Sequence, residues 1–308
     1  METKKTCYKL GISPTISSHQ DTLLRKLILK SFAAIPLPIL YGLSWPLYIL
    51  LFHIFRFRRN IAEKNIRNSF PNLNHKEQQS LLKEHYRNFC DVILEIAKTI
   101  YLKPEQLKKY VTFINSEIIE TVLEEDQTVI LACAHYCNQE WALLAASQHL
   151  NHPMDGIYKP LHQKWLNEIA LESRSKFNVT LTPAKTCITD LIKRAKETRI
   201  IAIVPDQAPR RRDDAYWATF LHQETPFYLG LEKIATLFKY PVFFMDVERT
   251  SRGHYRATFK PLCAPPYEKE SHLISKAYVQ AVEEQILRKP EDWLWIHKRW
   301  KKKKSLYD

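Results

Sequence analysis

The sequence predicts an α/β fold, in which a mixed, mostly parallel sheet is flanked by helices and preceded by an N-terminal hydrophobic membrane-anchoring helix. Short β-branched or apolar runs stand at residues 111–114, 128–134, 199–204 and 240–248. Stretches with helical periodicity separate these runs, and a long uncharged apolar segment precedes them. Strands that alternate with helices are typical of parallel sheets covered on both faces.

The uncharged segment covers residues 31–55 and contains no Asp, Glu, Lys or Arg. It is long enough to span a bilayer, and basic residues flank both of its ends. Its breakers, Pro36, Pro38, Gly42 and Pro46, favour a kinked or in-plane insertion over a straight span, and a buried helical hairpin of a soluble protein is the third interpretation. We therefore divide the chain into an N-terminal tail and anchoring segment at residues 1–58 and an α/β domain at residues 59–308.

The domain begins with a helical lead-in at residues 59–110. A short helix is expected to end before Pro71, and Asn74 with Glu77 forms a capping-box pattern that opens a second helix. The later helices are predicted at 116–125, 140–150, 162–176, 186–197 and 227–239.

Composition excludes several classes of protein. The 308 residues are 45% hydrophobic and carry a formal charge of +13, which predicts an acidic partner such as an acidic protein, anionic lipid headgroups or nucleic acid. The 6 cysteines form no CxxC pair and indicate a reducing compartment. The 5 glycines leave no GxGxxG or GxxxxGK[ST] motif, which argues against dinucleotide and P-loop chemistry.

Polar residues follow two of the predicted strands. His135 comes directly after the run at 128–134, and Asp206 and Gln207 follow the run at 199–204. Ligands of such sheets gather beyond the carboxyl ends of the strands, so we expect an active site where these two clusters meet.

His135 and Glu140 are the candidate catalytic pair. On one continuous helix they would point about 140° apart, but Asn138 as an N-cap would leave His135 in the preceding loop, free to fold back toward Glu140 in the first turn. The ring would then donate one N–H to the carboxylate and accept a substrate proton on its other nitrogen. A satisfied loop histidine is the simplest alternative. A thiol nucleophile or a His/Cys/Glu metal site built with Cys133 or Cys137 is less favoured.

Basic residues suggest further contacts. Arg174 is a candidate for bidentate phosphate binding, whereas Lys159 and Lys176 suit a solvated helix face. The tract RRRDDAYW at 210–217 resembles a basic rim, and no nucleic-acid-binding signature accompanies it. The C-terminal WLWIHKRWKKKK at 293–304 combines tryptophans and cations, which suits either a packed interface or lipid headgroups.

Five separated blocks resemble the bacterial lipid A secondary (late) acyltransferases, a branch of the lysophospholipid acyltransferase-like superfamily. They are RRNIAEKNIRNSFP, HYCNQEW as the HxxxxD/E motif, Arg174, VPDQAP with WATFLHQETPF, and WLWIHKRWK, in family order over residues 36–301. The glycine and tryptophan usual within the family's HxGNWE are Cys137 and Gln139 here, which changes the loop.

The resemblance implies acyl transfer from an acyl carrier protein thioester to a hydroxyl of a lipid A precursor, at the cytoplasmic face of the inner membrane. His135 would be the base, Glu140 its orienter, and Asn138, Arg174, Asp206 and Gln207 would contact substrate. No cofactor or metal is implied, because acyl carrier protein or coenzyme A enters as a co-substrate carrying the acyl chain. Nucleic acid is not expected as a partner.

Two alternatives remain open from the sequence. The same chemistry could act on an aminolipid, a glycolipid or a lysophospholipid. The altered loop is also compatible with a non-catalytic membrane lipid-binding protein that retains the fold.

Overall fold

The N-terminal part of the chain is helical. The structure, a computed structural model, describes residues 27–161, 163–209, 215–268 and 271–301, so the basic tract at 210–214 and the lysines at 302–304 lie outside the described residues. Residues 27–34 are helical, and α1 covers Leu37–Tyr48 and continues as a π-helical segment over Ile49–Ile54. Then follow α2, Arg59–Ser69, and α3, His75–Lys98. Both halves of the predicted capping box on α3 are present, because Glu77 N donates to Asn74 Oδ1 and Asn74 N to Glu77 Oε2.

A mixed, mostly parallel sheet forms the centre of the molecule, as the sequence predicts. Among the described residues its strands are β1 Val111–Ile114, β2 Val129–Ala132, β3 Met154–Tyr158, β4 Val179–Pro183, β5 Ile200–Ile203, and two strands paired as a hairpin, Val242–Ser251 and His254–Cys263. The last two are numbered β8 and β9, because β6 and β7 precede them in the chain and form a separate hairpin. The spatial order of the strands in the sheet is β1-β9-β8-β2-β5-β3-β4. Among the described strands of this sheet, the β8–β9 pair is antiparallel and the other pairs are parallel.

Helices connect the strands and cover both faces. They are α4 Pro104–Leu107, α5 Glu117–Glu124, α6 Gln139–His149, α7 Lys164–Ser175, α8 Cys187–Lys193, α9 Gly230–Phe238 and α10 Leu273–Arg288, and a 3-10 turn follows at Pro290–Asp292. Helix α10 was not predicted. The predicted helices are present, but α8 ends at Lys193 and not at residue 197, and residues 227–228 belong to a strand. That strand is β7, Gln223–Tyr228, which pairs with β6, Ala215–Phe220, in a separate two-stranded hairpin.

The sequence patterns missed β3 and β4. Strand β3 contains Asp155 and Gly156, residue types that are depleted in strands. Its place in the sheet depends on neighbours: Asp155 is buried against Arg199, with 3.1 Å between Oδ2 and Nη1, and β3 pairs with β4 and β5. Tertiary contacts here override local preference.

Strands β2 and β5 place the predicted site. They are parallel neighbours, with Ala132 opposite Ile203, and every residue of both is buried. Their near-continuous apolar runs therefore end side by side, and the loops that carry His135 and Asp206 leave the sheet at the same edge.

Helix α1 packs against the domain on one face only. Leu37, Leu40, Tyr48 and Phe52 belong to the common core, while apolar side chains on the other side, including Trp45 at 68% exposure, face solvent. Among the described residues, Leu37–Ile54 is the one helical stretch that is long and apolar enough to cross a membrane.

Tyr41 fixes the orientation of α1. Its hydroxyl donates to Glu95 Oε1 on α3 at 2.8 Å, and its carbonyl accepts from Arg252 Nη2 at 3.0 Å. Gly253, with φ of +75°, closes the β8–β9 turn beneath the ring, where a Cβ would lie only 2.2 Å from the Tyr41 hydroxyl. Only glycine permits this approach, so the turn and the helix are packed as one unit.

Candidate active site

His135 lies in the loop between β2 and α6 and is held by Asp206. The ring Nδ1 is 2.5 Å from Asp206 Oδ1, and the backbone N–H of His135 donates to Asp206 Oδ2 at 2.9 Å. A quarter of the His135 side chain is exposed, whereas Asp206 is buried. The carboxylate thus fixes both the position and the orientation of the imidazole.

This arrangement corrects the prediction that Glu140 orients His135. Asp206 lies in the loop after the neighbouring strand β5, and its carboxylate reaches the His135 backbone and ring together. Glu140 lies in the first turn of α6, as predicted, but its two oxygens accept from Arg174 Nε at 2.5 Å and Arg174 Nη2 at 2.9 Å. The expected catalytic pair is therefore two pairs, His135 with Asp206 and Glu140 with Arg174.

Asp206 has protein donors at both of its carboxylate oxygens, and its predicted contact with substrate stays a prediction. Oδ1 is taken by the His135 ring, and Oδ2 accepts from His135 N and from Trp293 Nε1, which is 3.1 Å away. With both oxygens satisfied by protein donors, the buried carboxylate acts on the histidine.

The charges of the site make His135 more basic than usual. Burial lowers the pKa of His135, but the charge and hydrogen bond of Asp206 and the charge of Glu140 outweigh it, so the net pKa lies above the ordinary value. Burial alone would raise the pKa of Asp206, yet its interactions with His135 hold it below the ordinary value. The pair thus favours a histidine that can take up a proton.

Gln207 contacts the opposite side of the ring. Its Nε2 lies 3.1 Å from His135 Nε2. With the Nδ1 proton directed at Asp206, Nε2 carries the lone pair and the amide N–H donates to it. Gln207 is half-buried.

Asn138 has a structural role in the buried interior, and its predicted contact with substrate stays a prediction. It is fully buried and caps α6, as predicted, by accepting from Trp141 N at 3.0 Å. Its amide donates to Glu95 Oε2 at 2.8 Å, and the same carboxylate accepts from Tyr41 and Tyr255. Glu95, which the sequence patterns did not single out, thereby connects α1, β9 and the start of α6.

Cys137 occupies the position of the family's usual glycine. Its φ of +47° lies in the left-handed region that favours glycine. Its N–H donates to Asp292 O at 2.9 Å, and the thiol hydrogen-bonds to the Asp292 carboxyl. Burial raises the pKa of Asp292 to about 6. The loop therefore keeps the left-handed conformation without glycine, with Asp292 as its partner.

The C-terminal tryptophans are part of the protein interior, which confirms the packed interface as the first of the two interpretations. Trp293 and Trp295 are buried with their ring centroids 4.8 Å apart, and half-buried Trp300 donates from Nε1 to Thr225 Oγ1 at 2.7 Å. Leu294 N donates to His135 O at 3.2 Å. The segment closes over the catalytic loop, and no local pattern in the sequence indicates this.

Two other basic predictions concern Lys159 and Lys176. Lys159 is exposed, as expected for a solvated face. Lys176 is exposed as well, and its Nζ also donates to Ile100 O at 2.8 Å, just beyond the end of α3.

The geometry of the loop gives little support to a thiol nucleophile or to a His/Cys/Glu metal site. Cys133 is buried behind the loop, and burial raises the pKa of its thiol far above the ordinary value, which opposes nucleophilic attack. His135 and Glu140 turn to different partners, so they do not converge as metal ligands. Within the described ranges, no group of three or more His, Cys, Asp or Glu is arranged to hold a metal ion.

Comparison with known proteins decides the family. A sequence profile described as bacterial lipid A biosynthesis acyltransferase matches residues 17–302. The chain belongs to this family. It is therefore an acyltransferase of lipid A biosynthesis.

Named relatives of this acyltransferase are distant but of similar length. It is 20% identical over 270 residues to the Escherichia coli K12 lipid A biosynthesis lauroyltransferase, covering 87% of each chain. It is 24% identical over 299 residues to a Haemophilus influenzae lipid A biosynthesis acyltransferase, covering 91% of this chain and 92% of that one. The palmitoleoyltransferase of E. coli K12 is 19% identical over 275 residues, covering 89% of both.

Proposed function

We propose that this acyltransferase is membrane-associated and transfers a fatty acyl chain from an acyl carrier protein thioester to a hydroxyl of a lipid A precursor. The observation that carries the mechanism is the His135–Asp206 pair, in which one ring nitrogen is held by a buried carboxylate and the other lies on the accessible side of the loop. This is a base with its orienter, and the substrate hydroxyl takes the place of an enzyme nucleophile.

The reaction follows from the two ring nitrogens. The acceptor hydroxyl displaces the Gln207 amide, transfers its proton to His135 Nε2 and attacks the thioester carbonyl. Asp206 stabilises the imidazolium that forms. The tetrahedral intermediate then collapses, the carbon–sulfur bond breaks, and His135 returns the proton to the thiolate that leaves.

The tetrahedral oxyanion needs positive charge close to the base. The start of α6 supplies N–H groups at residues 139–140 that cannot bond within the helix, together with the positive end of its dipole. Arg174 stands in the same region through its pair with Glu140. These groups are our candidates for stabilising the oxyanion.

Arg174 is also our candidate for recognising acceptor phosphate. Two of the five guanidinium N–H groups donate to Glu140, which fixes the plane of the group, and the side chain is 25% exposed. A phosphate could bind its remaining donors without breaking the ion pair. In this role Glu140 positions Arg174, and Gln207 borders the acceptor hydroxyl.

The exposed face of α1 supports membrane association. Ile39, Trp45, Ile54 and Phe55 are all more than half exposed, and Arg56 and Arg58 follow them immediately. Because the other face of α1 is packed into the domain, we favour insertion in the plane of the membrane interface over a complete span. Lys30 contacts Glu172 on α7 at 3.1 Å, two residues from Arg174, so this part of the chain adjoins the site.

The net charge of the chain supports the proposed acyl donor, and its free thiols support the proposed location. An acyl carrier protein is acidic, and an acidic donor suits a chain with a net charge of +13. Coenzyme A is the alternative acyl donor. The described cysteines are free thiols, as in a reducing compartment. We therefore assign the catalytic domain to the cytoplasmic side of the inner membrane.

Mass spectrometry of lipid A tests the acceptor. We expect one acyl chain to be missing from a deletion strain and from a strain with only the His135→Ala variant, and to return with the unaltered gene. Unchanged lipid A in all strains would exclude this acceptor. Purified protein would then be given acyl carrier protein thioester and acyl-coenzyme A with aminolipid, glycolipid or lysophospholipid acceptors; binding without turnover on all of them would leave a lipid-binding protein.

A further inference from the structure

Asn65 of α2 is a buried residue that binds the segment over the site. It is 6% exposed, and its amide Nδ2 donates to Trp295 O at 2.7 Å and to His297 O at 2.9 Å. Both protons of the amide are therefore directed at one short stretch of backbone. Asn65 belongs to the block RRNIAEKNIRNSFP, to which the proposed reaction gives no role.

The 293–300 segment needs such a donor because its backbone is irregular. Apart from a single bridge between Trp293 and Tyr136, residues 293–300 belong to no helix or strand. Trp295 is 0% exposed, so its carbonyl cannot turn to water, and a buried carbonyl without a donor is costly. Asn65 thus supplies a hydrogen bond that a helix or a sheet would otherwise provide.

The same segment contacts both members of the His135–Asp206 pair. Leu294 N donates to His135 O at 3.2 Å, and Trp293 Nε1 donates to Asp206 Oδ2 at 3.1 Å. The first bond acts on the loop that carries the imidazole, and the second acts on the carboxylate that orients it. A displacement of the 293–300 segment would therefore change the position of one group relative to the other.

His297 connects the segment to the loop that carries Gln207. Its Nε2 accepts from Ala208 N at 3.3 Å, and Ala208 follows Gln207, whose amide lies beside His135 Nε2. Burial lowers the pKa of His297 to about 4, so the ring is uncharged near neutral pH and can accept this bond. Asn65 therefore binds the backbone of the residue whose ring binds the Gln207 loop.

We propose that Asn65 is a positioning residue of the acyltransfer site: by binding the carbonyls of Trp295 and His297, it holds the 293–300 segment against the loops of His135 and Asp206. This inference rests on the proposed function only in taking His135 as the base. Asn65 acts through the segment and does not touch the substrate.

The separate effects of Asn65→Ala on kcat and KM test the proposal. We expect kcat to fall by at least about tenfold, because a small displacement of a catalytic group is costly. KM for the acceptor should stay unchanged, since Asn65 has no contact with the substrate. An unchanged kcat, or a higher KM at unchanged kcat, would overturn the proposal.

Asn68→Ala is the matched control. Asn68 lies three residues further along α2, is exposed, and donates from Nδ2 to Gln223 Oε1 at 3.3 Å, in the β6–β7 hairpin. The variant removes the same amide from the same helix without affecting the 293–300 segment, so it should keep the wild-type kcat. An equal loss of kcat in Asn68→Ala would contradict the assigned role of Asn65.

Amide hydrogen exchange, followed by mass spectrometry, tests the positioning without any substrate. In Asn65→Ala we expect faster exchange in peptides that cover residues 134–138 and 206–209, and wild-type exchange in peptides that cover β3. Faster exchange throughout the chain, or no local change, would contradict the proposal. If the wild-type protein fails to acylate lipid A, the proposed function is wrong, but this comparison still decides whether Asn65 positions the two loops.

Asn65→Ser covers the case in which Asn65→Ala does not fold. A serine hydroxyl keeps one of the two donors, and the same exchange comparison applies to this variant. Trp293→Phe removes the donor to Asp206 at the other end of the contact. If Asn65 acts through the segment, the losses of kcat in Asn65→Ser and Trp293→Phe should be less than additive in the double variant. Fully additive losses would show that Asn65 acts independently of the segment.

Discussion

At the scale of single residues, the proposed base His135 is hydrogen-bonded to Asp206, whereas Glu140 is bound to Arg174. Asp206→Asn keeps the shape of the side chain but removes the charge that stabilises the imidazolium and selects the Nδ1 tautomer. We expect kcat to fall by about 10³-fold. Because the same change lowers the His135 pKa, the acidic limb of the residual activity should move to lower pH.

Asp155→Asn is the control for this prediction. Asp155 is a buried carboxylate bound by Arg194 and Arg199 at the far edge of the sheet. Its removal should reduce stability without moving the pH profile. A wild-type profile in Asp206→Asn, measured by steady-state transfer, would show that another group orients His135.

The site was predictable in position and not in pairing. Placing His135, Asp206 and Gln207 together requires only that two apolar runs be parallel neighbours, which their composition indicates. Which carboxylate meets the ring depends on the left-handed turn at Cys137 and on the direction of Arg174, and neither can be read from residue spacing. The five-residue separation of His135 and Glu140 was therefore a misleading guide.

At the scale of elements, Asn138 joins the start of α6 to a buried polar network. Asn138→Ala removes the N-cap and leaves Glu95 with one donor fewer in the interior, so we expect a loss of about 2 kcal/mol or more in the free energy of unfolding. Chemical denaturation measures this loss. KM for the acceptor should stay unchanged in the folded fraction, because Asn138 does not reach the surface.

Asn74→Ala is the matched comparison, since Asn74 caps α3 at an exposed position. Its loss should be about 1 kcal/mol, the usual cost of an N-cap. Equal losses in both variants would mean that the Glu95 network adds nothing. A higher KM in Asn138→Ala would instead restore the substrate contact predicted from the sequence.

Elements were predictable where the local pattern and the tertiary environment agree. The capping box of α3 and the apolar strands β2 and β5 are examples. Strand β3 and the closure of the 293–300 segment over the site were not, because they depend on a buried ion pair and on contacts between residues more than 150 positions apart.

At the scale of the whole molecule, the proposed membrane association depends on one exposed apolar surface. Replacing the exposed apolar residues Trp45 and Ile54 by serine removes two side chains that would enter the lipid interface, each worth about 1.5–3 kcal/mol. We expect partitioning onto vesicles that contain anionic lipid to fall by at least roughly tenfold. Vesicle co-sedimentation measures this change.

The control is Ile192→Ser/Leu237→Ser. Both side chains are 59% exposed, on α8 and α9 at the amino-terminal edge of the sheet. This pair should leave vesicle binding unaltered. An equal loss of vesicle binding in both double variants would indicate non-specific adsorption to lipid and not a specific membrane-binding face.

The contact between Gln207 and His135 Nε2 means that the proposed base already has a hydrogen-bond partner before a substrate binds. Any hydroxyl that approaches must first compete with an amide already bound there, and this entry cost is the same for water as for the lipid acceptor. Water brings nothing further, whereas the acceptor adds the binding energy of its headgroup and chains. In the proposed mechanism, the Gln207 amide therefore disfavours hydrolysis of the acyl thioester relative to transfer of the acyl chain to the lipid acceptor.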